Sequence, residues 1–270
     1  MRLLFLGDIV GRTARNAVRD QAADLRAELG LDFLIVNCEN AAGGFGVTPA
    51  ICEDLLAAGV DVLTTGNHVW DKGEISPYLD RVERVIRPAN MDRAFPGRGL
   101  VQVTNEAGQK LVVINLIATL FMAENDNPFH SADRLLQNIK LGQDADAILV
   151  DFHGEATSEK TAMGHHLDGR VSMVVGTHTH VPTADHRILT GGTAFQTDAG
   201  MCGDYNSVIG MDHQVATGRF TGRSGGRLAV ALGPASLCGL LVDVDPATGL
   251  AMKVEPFRRG GTLADTVHSS

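Results

Sequence analysis

Apolar residues along this chain alternate between two rhythms. Short solid runs rich in Leu, Ile and Val predict strands buried on both faces, whereas apolar residues three or four positions apart predict helices. Leu3–Leu6 is a first strand. From Arg12 to Leu29, the residues Ala17, Val18, Ala22, Leu25 and Leu29 recur near helical spacing, and Gly30 stops the helix. Asp32 to Cys38 predicts a second strand. Thr48-Pro49, suited to the N-cap and first helical position, opens a helix reaching about Ala58, and Val60–Thr65 predicts a third strand. Strand and helix in repeated alternation indicate a parallel sheet.

Farther along, Gly99–Val103 and Lys110–Ile117 flank the turn sequence Asn105-Glu-Ala-Gly108 and predict an antiparallel hairpin. Arg81 to Gly99 is irregular. Leu120–His130 is expected as a polar loop, and Ala132–Leu141 as a helix. Ala147–Phe152 and Met173–Val175 predict strands joined by a helix over Thr157–His166. Beyond Pro182 the chain turns β-rich, with strands expected at Arg187–Leu189, Thr193–Thr197, Leu228–Leu232, Leu237–Val244 and Ala251–Phe257. Pro246-Ala-Thr-Gly249 forms a turn before the last, and Arg258 to Ser270 is expected as a loose tail. No linker, repeat or low-complexity block intervenes, so residues 1–270 are expected to form one domain.

Composition narrows the choices. Of 270 residues, 44% are hydrophobic and 20% charged, as in an ordinary globular protein, and the formal net charge is −9. That charge disfavours direct binding of a nucleic-acid duplex, which needs a basic face. The four cysteines, Cys38, Cys52, Cys202 and Cys238, lack CxxC spacing and read as reduced, buried thiols. No apolar run suits a signal peptide or a membrane span, and a cytoplasmic location is expected.

The residues that follow the strands carry the chemistry. Asp8 follows the first, Glu39-Asn40 the second, Asn67-His68 the third, His153 the strand ending at Phe152, and His178 and His180 the run ending at Gly176. In parallel sheets, ligands gather outside the carboxyl ends of the strands. Each residue has a bland role by itself, as a helix cap, a turn residue or a buried histidine. Jointly that account is poor, because five strands end in a carboxylate, amide or imidazole. The mixed oxygen and nitrogen set suits Fe, Mn or Zn rather than Ca or Mg alone, and the absence of cysteine disfavours structural zinc. In extended geometry, His178 and His180 would point to one face about 7 Å apart and reach neighbouring ions. There are too many ligands for one ion. Two ions about 3.5–4 Å apart, bridged by a carboxylate, suit in-line hydrolysis at phosphorus, supplying hydroxide and neutralising phosphate oxygens.

The order Gly7-Asp8, an acid after the second strand, Gly66-Asn67-His68, a lone His153 and Gly176-x-His178-x-His180 resembles the calcineurin-like metallophosphoesterases. The sequence departs from that family's motifs: Val10 stands where the first motif has His, Glu39-Asn40 replaces an Asp segment, Val69 replaces the acid after His68, and Thr177 precedes His178. Gly7-Asp8-Ile-Val-Gly11-Arg12, Glu39-Asn40-Ala-Ala-Gly43-Gly44, Gly66-Asn67-His68-Val-Trp70-Asp71, Asp151-Phe-His153-Gly-Glu155-Ala-Thr-Ser-Glu-Lys160, Gly176-Thr-His178-Thr-His180-Val-Pro-Thr-Ala-Asp185 and Thr197-Asp198-Ala-Gly200-Met closely resemble the bacterial YmdB-like subgroup.

The resemblance implies an α/β fold, a four-layer α/β/β/α sandwich with two mixed sheets. It implies one metal on Asp8, Glu39, Asn40 and His180, and a second on Glu39, Asn67, His153 and His178, with Glu39 bridging. Iron or manganese is the implied metal, with zinc an alternative, and Val10 leaves the first ion with fewer nitrogen ligands. His68 would be the general acid for the leaving alkoxide. The implied activity is a phosphodiesterase acting on small cyclic nucleotides, 2′,3′-cyclic ones foremost, by attack of metal-activated hydroxide.

Two rivals stand beside it: a phosphomonoesterase or 5′-nucleotidase, and a regulatory protein acting through an RNA-processing partner. A homo-oligomer is compatible with the sequence. Asp151, Glu155 and Asp185 are candidates to orient His153 and His178. The Gly43–Gly46 cluster reads as a loop rather than a phosphate cradle, Trp70 as a packing residue, and the remaining histidines as non-ligands.

Overall fold

The computed structural model describes residues 1–223 and 226–266. In chain order the strands are β1 (Arg2–Leu6), β2 (Asp8–Ile9), β3 (Phe33–Asn37), β4 (Val62–Thr64), β5 (Leu100–Thr104), β6 (Lys110–Ile117), β7 (Ala147–His153), β8 (Met173–Thr177), β9 (Arg187–Ile188), β10 (Ala194–Gln196), β11 (Met201–Cys202), β12 (Leu237–Val244) and β13 (Ala251–Arg259). The α-helices are α1 (Gly11–Leu29), α2 (Pro49–Ala57), α3 (Ser76–Leu79), α4 (Pro128–Leu136), α5 (Thr157–Leu167) and α6 (His213–Phe220). The architecture is mixed α/β. One sheet runs β13-β12-β1-β3-β4, a second β5-β6-β7-β8-β10-β9, and β2 pairs with β11 in a two-stranded ribbon. Within the sheets, β1, β3 and β4 are parallel, as are β6, β7, β8 and β10. The edges β5, β9 and β13 pair antiparallel.

The solid apolar runs are explained by burial on both faces. In β1, Leu4 and Leu6 pack with the buried faces of α1 and α2, whereas Leu3 and Phe5 pack with residues of the second sheet. In β6, Leu111 and Val113 turn toward the first sheet, while Val112, Ile114 and Leu116 join a third cluster with α4 and α5. A strand alternates its side chains between faces, so it feeds two cores at once. Each fully buried Leu or Phe contributes about 1.5–3 kcal/mol of apolar transfer.

Local signals act as expected at several boundaries. Thr48 accepts from the Ile51 N–H with Pro49 next to it, and Gly30 closes α1 at φ 62°. The hairpin forms with Leu100 opposite Ile114. All four cysteines are buried and free. No helix of the described residues is long and apolar enough to cross a membrane.

Other boundaries moved. The helix expected over Ala132–Leu141 lies at Pro128–Leu136, because the Asn127 side chain caps Phe129 and His130 and Pro128 follows it. Thus α4 begins inside the expected loop Leu120–His130. Leu228–Leu232 is not a strand. Its Val230 makes a single bridge to Met211, whose own segment is a tight turn too short to extend a ladder, and Leu232 stays 73% exposed. The helix α6 and the ribbon β2–β11 carry no periodic signal that announces them. The last strand continues to Arg259, and Thr266 bonds back to Arg258, so the described part of the expected tail is tied down. Residues 267–270 of that tail lie outside the described residues.

Candidate metal centre

The parallel strands of both sheets deliver their carboxyl ends to one place. Asp8 follows β1, Glu39 and Asn40 follow β3, Asn67 and His68 follow β4, His153 ends β7, and His178 and His180 follow β8. The ligand atoms of Glu39, His153 and His178 lie within 4.8 Å of one another, and those of Asp8, Glu39 and His180 do the same. Glu39 belongs to both groups. Gly66 is required beside them: a Cβ there would stand 2.2 Å from Glu39 Oε2 and 2.4 Å from His153 Nε2. Carboxylate and imidazole occupy the space of the missing side chain.

Hydrogen bonds around the histidines decide which nitrogens carry protons. His180 Nδ1 lies 2.8 Å from the Ile209 carbonyl, which can only accept. Nδ1 therefore donates and Nε2 keeps its lone pair. That Nε2 faces Asn40 Oδ1 at 3.2 Å, and Asn40 cannot turn its amide because Nδ2 donates to the Gly44 carbonyl at 2.9 Å. Similarly, His153 Nδ1 lies 2.9 Å from Thr177 Oγ1, which spends its own proton on Asp151 Oδ1 at 2.7 Å. His153 Nε2 is then a bare lone pair, meeting Asn67 Oδ1 at 2.9 Å, Glu39 Oε1 at 3.1 Å and His178 Nδ1 at 3.1 Å. Asp8 Oδ1 is buried with no hydrogen-bond partner. Acceptors pointed at acceptors are repulsive unless a cation stands between them, so the residues present fit a bound metal.

Charge energetics agree. Burial raises Asp8 to about 7 and also raises Glu39. Burial lowers His153 to about 4 and His178 to about 3. Neutral imidazoles are the form that ligates a metal.

Backbone strain accompanies this geometry. His178 and His180 both have positive φ, 99° and 66°. The extended pair expected from His-x-His is thus absent, since β8 ends at Thr177 and the chain curls afterwards. The curl sends the two rings to different groups. Thr179, between them, donates from N and Oγ1 to Asp198 Oδ2, and Asp198 is paired with the buried Lys160 at 2.7 Å. Sequence reasoning assigned no role to this pair. An ionic couple with both side chains 1% exposed is recognisable only once the fold places α5 under the loop.

Of the expected orienting acids, Asp151 acts through Thr177, held in turn by Thr64 and Asn37, and burial raises it to about 7. Glu155 Oε2 lies 3.4 Å from His178 Nε2. Asp185 serves Thr183, Thr197 and Arg187 and touches neither histidine. His68 is half-buried, with Nδ1 2.8 Å from Asp71 Oδ2, and its backbone N–H donates to Glu39 Oε2 at 3.2 Å. Trp70 packs against Phe95 at 5.1 Å.

Above the cluster opens a cavity of about 400 Å³. Its lining joins the polar Glu39, Asn40, His68, Glu155, His178, Thr179 and His180 to the apolar Phe45, Ile209, Met211 and Leu228, with Gly44.

Comparison with known proteins agrees over nearly the whole chain. Residues 4–257 match the model of the family described as YmdB-like protein. A 2′,3′-cyclic-nucleotide 2′-phosphodiesterase of Bacillus subtilis (strain 168) is 44% identical over 255 residues, 94% of this chain and 96% of its own. A crystal structure described as a novel phosphatase of Mycoplasma pneumoniae superposes with a TM-score of 0.88 at 35% identity, covering 96% of this chain and 93% of that one. The crystal structure of a hypothetical protein from Thermus thermophilus gives 0.88 at 39% identity, covering 97% and 100%. By its motifs, its fold and this end-to-end match, the chain belongs to the YmdB-like protein family.

Proposed function

We propose that the protein is a metal-dependent phosphodiesterase hydrolysing small cyclic nucleotides, 2′,3′-cyclic ones foremost. The observation that carries this reading is the convergence of bare imidazole nitrogens and buried carboxylates from two overlapping groups that share Glu39, at the lining of a cavity. Asp8, Glu39, Asn40 and His180 would hold one ion, and Glu39, Asn67, His153 and His178 the other. Oxygen and imidazole donors together suit iron or manganese, with zinc an alternative. When bound, such ions polarise phosphate oxygens and make water acidic enough to attack near neutral pH. The activity named for the Bacillus subtilis relative supports the substrate class.

His68 is assigned as general acid. Asp71 accepts from Nδ1 and turns the ring, leaving Nε2 without a protein partner among the described residues. Hydrolysis forms a bond from water oxygen to phosphorus and breaks the P–O2′ bond. His68 gives its proton to O2′, the proton lost by water restores the ring, and a 3′-phosphate results. A positioned acid of this kind contributes about 10²–10⁴-fold.

The three apolar cores, between helices and sheet on either side and between the sheets, support a four-layer α/β/β/α arrangement and one domain over residues 1–270. A cytoplasmic place accords with four reduced thiols.

The test combines metal analysis of freshly purified protein with turnover of 2′,3′-cAMP, 3′,5′-cAMP, bis-p-nitrophenyl phosphate and AMP, using wild type and His68→Ala. Two Fe or Mn per chain, with 2′,3′-cAMP cleaved by wild type and its turnover lost in the variant, is the expected result. No turnover after Mn reconstitution would overturn the reading. The description of the Mycoplasma pneumoniae neighbour as a phosphatase favours monoester hydrolysis as a second reading, and rapid AMP cleavage with silence on the cyclic substrates would select it.

A further inference from the structure

Four of the residues lining the cavity have no part in phosphorus chemistry. Phe45, Ile209, Met211 and Leu228 present hydrocarbon beside a cluster of carboxylates and imidazoles. Ile209 stands out among them. Val208 and Met211 exchange both backbone hydrogen bonds at 2.9 Å across Ile209-Gly210, whose φ values are 47° and 94°. Two central residues with positive φ define a type I′ hairpin turn, a position that favours Asn, Asp or Gly and penalises β-branched residues. Ile is therefore the wrong residue for the turn, and 51% of it is exposed to solvent. Neither folding nor solubility accounts for it. The turn itself cannot relax, because the Ile209 carbonyl accepts from His180 Nδ1 and a Cβ on Gly210 would stand 2.6 Å from Val10 Cγ1. Strain at the edge of a site points to use of the strained side chain.

We infer that Ile209 and Phe45 bound a slot for the nucleobase of the substrate, with Met211 and Leu228 as its back. This rests on the cyclic-nucleotide reading and adds what selects the nucleotide. A ligand whose phosphorus sits at the lone-pair cluster sends its remainder into the cavity, which the apolar residues line together with that cluster. Phe45 is steadied edge-on against His68, ring centroids 5.1 Å apart, so the slot adjoins the proton donor. Its polar neighbours are engaged elsewhere: Thr179 Oγ1 donates to Asp198, and Glu155 lies by His178. Among the described lining residues, Thr179 has spent its hydroxyl proton on Asp198, which leaves ring area as the main distinction between bases. The slot therefore selects chiefly by ring area, purine above pyrimidine.

The test is equilibrium binding of adenosine 3′-phosphate, cytidine 3′-phosphate and inorganic phosphate to metal-loaded wild type, Ile209→Asn and Phe45→Ala, with metal content measured on each. Asn suits the turn and keeps the carbonyl to His180. Wild type should bind the adenine nucleotide about tenfold or more above phosphate, with cytidine between, as for base stacking on apolar and aromatic surfaces. In both variants the nucleotide-to-phosphate ratio should collapse toward one, and the ratio of kcat/KM for 2′,3′-cAMP over 2′,3′-cCMP should fall with it. An unchanged ratio in the variants would overturn the slot, as would a wild type that does not prefer nucleotide to phosphate. So would loss of metal in Ile209→Asn together with an unaltered ratio in Phe45→Ala. Binding ratios are read whether or not a cyclic nucleotide is turned over, so absent turnover with an intact ratio counts against the proposed activity and not against the slot.

Discussion

The two sides of the candidate centre are held by different means. Behind His153 Nδ1, the fixing partners are side chains inside the sheets: Thr177, then Asp151, then Thr64 and Asn37, all buried. Around His180, the fixing partner is a main-chain carbonyl in a surface turn, with Tyr205 bridging the His180 and Met201 carbonyls. One side is locked by the packed core, and the other depends on a loop whose neighbours are half-exposed. A ligand set held by the core is preorganised, whereas one held by a turn shifts with that turn. The His153 side should therefore bind its ion more tightly, and stepwise chelation should remove the ion at His180 first.

Glu39 is the one residue common to both sides, so its loss should erase the difference. Glu39→Gln is expected to lower turnover by about 10³-fold or more and to release both ions, measured by kcat/KM with metal analysis. Retention of a full complement would remove the bridging role. Thr177→Val cuts the relay on one side alone. It should weaken one ion by about 10–100-fold and leave the other, a split visible in metal titration. Equal weakening of both ions would show that the two sides act as one.

Protons sharpen the comparison further. In metal-free protein, Asp8 and Asp151 are raised to about 7, so their folded forms hold protons that the unfolded chain gives up near its ordinary carboxylate range. Their contribution to stability is present at low pH and lost as pH rises to about 7. His153 and His178 are lowered to about 4 and about 3, so theirs is present above the ordinary histidine range and lost as pH falls toward those values. Between roughly pH 4 and 6.5 the slopes oppose, with Glu39, also raised by burial, adding to the carboxylate side, so denaturant midpoints of metal-free protein should drift only modestly downward as pH rises there. Metal affinity should climb with pH and level off near 7, where Asp8 no longer has a proton to release. The smallest effect expected is that of Tyr205→Phe, which removes hydrogen bonds near His180 worth about 1 kcal/mol each, a few-fold in the weaker ion's affinity.

Most of the candidate ligand set was legible because strand ends are legible. A buried run such as Phe33–Asn37 has few alternatives, and the polar residue that follows it lies at the carboxyl edge of the sheet. The mixed α/β character followed from the same alternation, whereas the layered arrangement was implied by the family resemblance. What escaped was whatever depends on curvature or distant partners. The curl after Thr177 is made by the buried Asp198–Lys160 couple, whose members are 38 residues apart. The apolar residues of Leu228–Leu232 looked like a strand because sequence cannot show that, among the described residues, the segment's one bridge is to a two-residue turn. The short ribbon β2–β11 joins residues almost two hundred positions apart by too few pairs to leave a periodic trace.

The place of β1 in its sheet has a bearing on how the chain comes into being. Its register sets Arg2 against Asp243, and the amino group of Met1 reaches the Val244 carbonyl. The residues of β1 must wait for partners up to 241 positions later in the chain before their sheet closes. Contacts this remote in sequence slow folding, because a long loop must be closed before they form. Asp8 lies at the end of that waiting strand, so an incomplete nascent chain cannot present a finished centre. A polypeptide cut short before β12 would expose β1 as an unpaired apolar edge, prone to aggregate and unable to capture metal or begin hydrolysis.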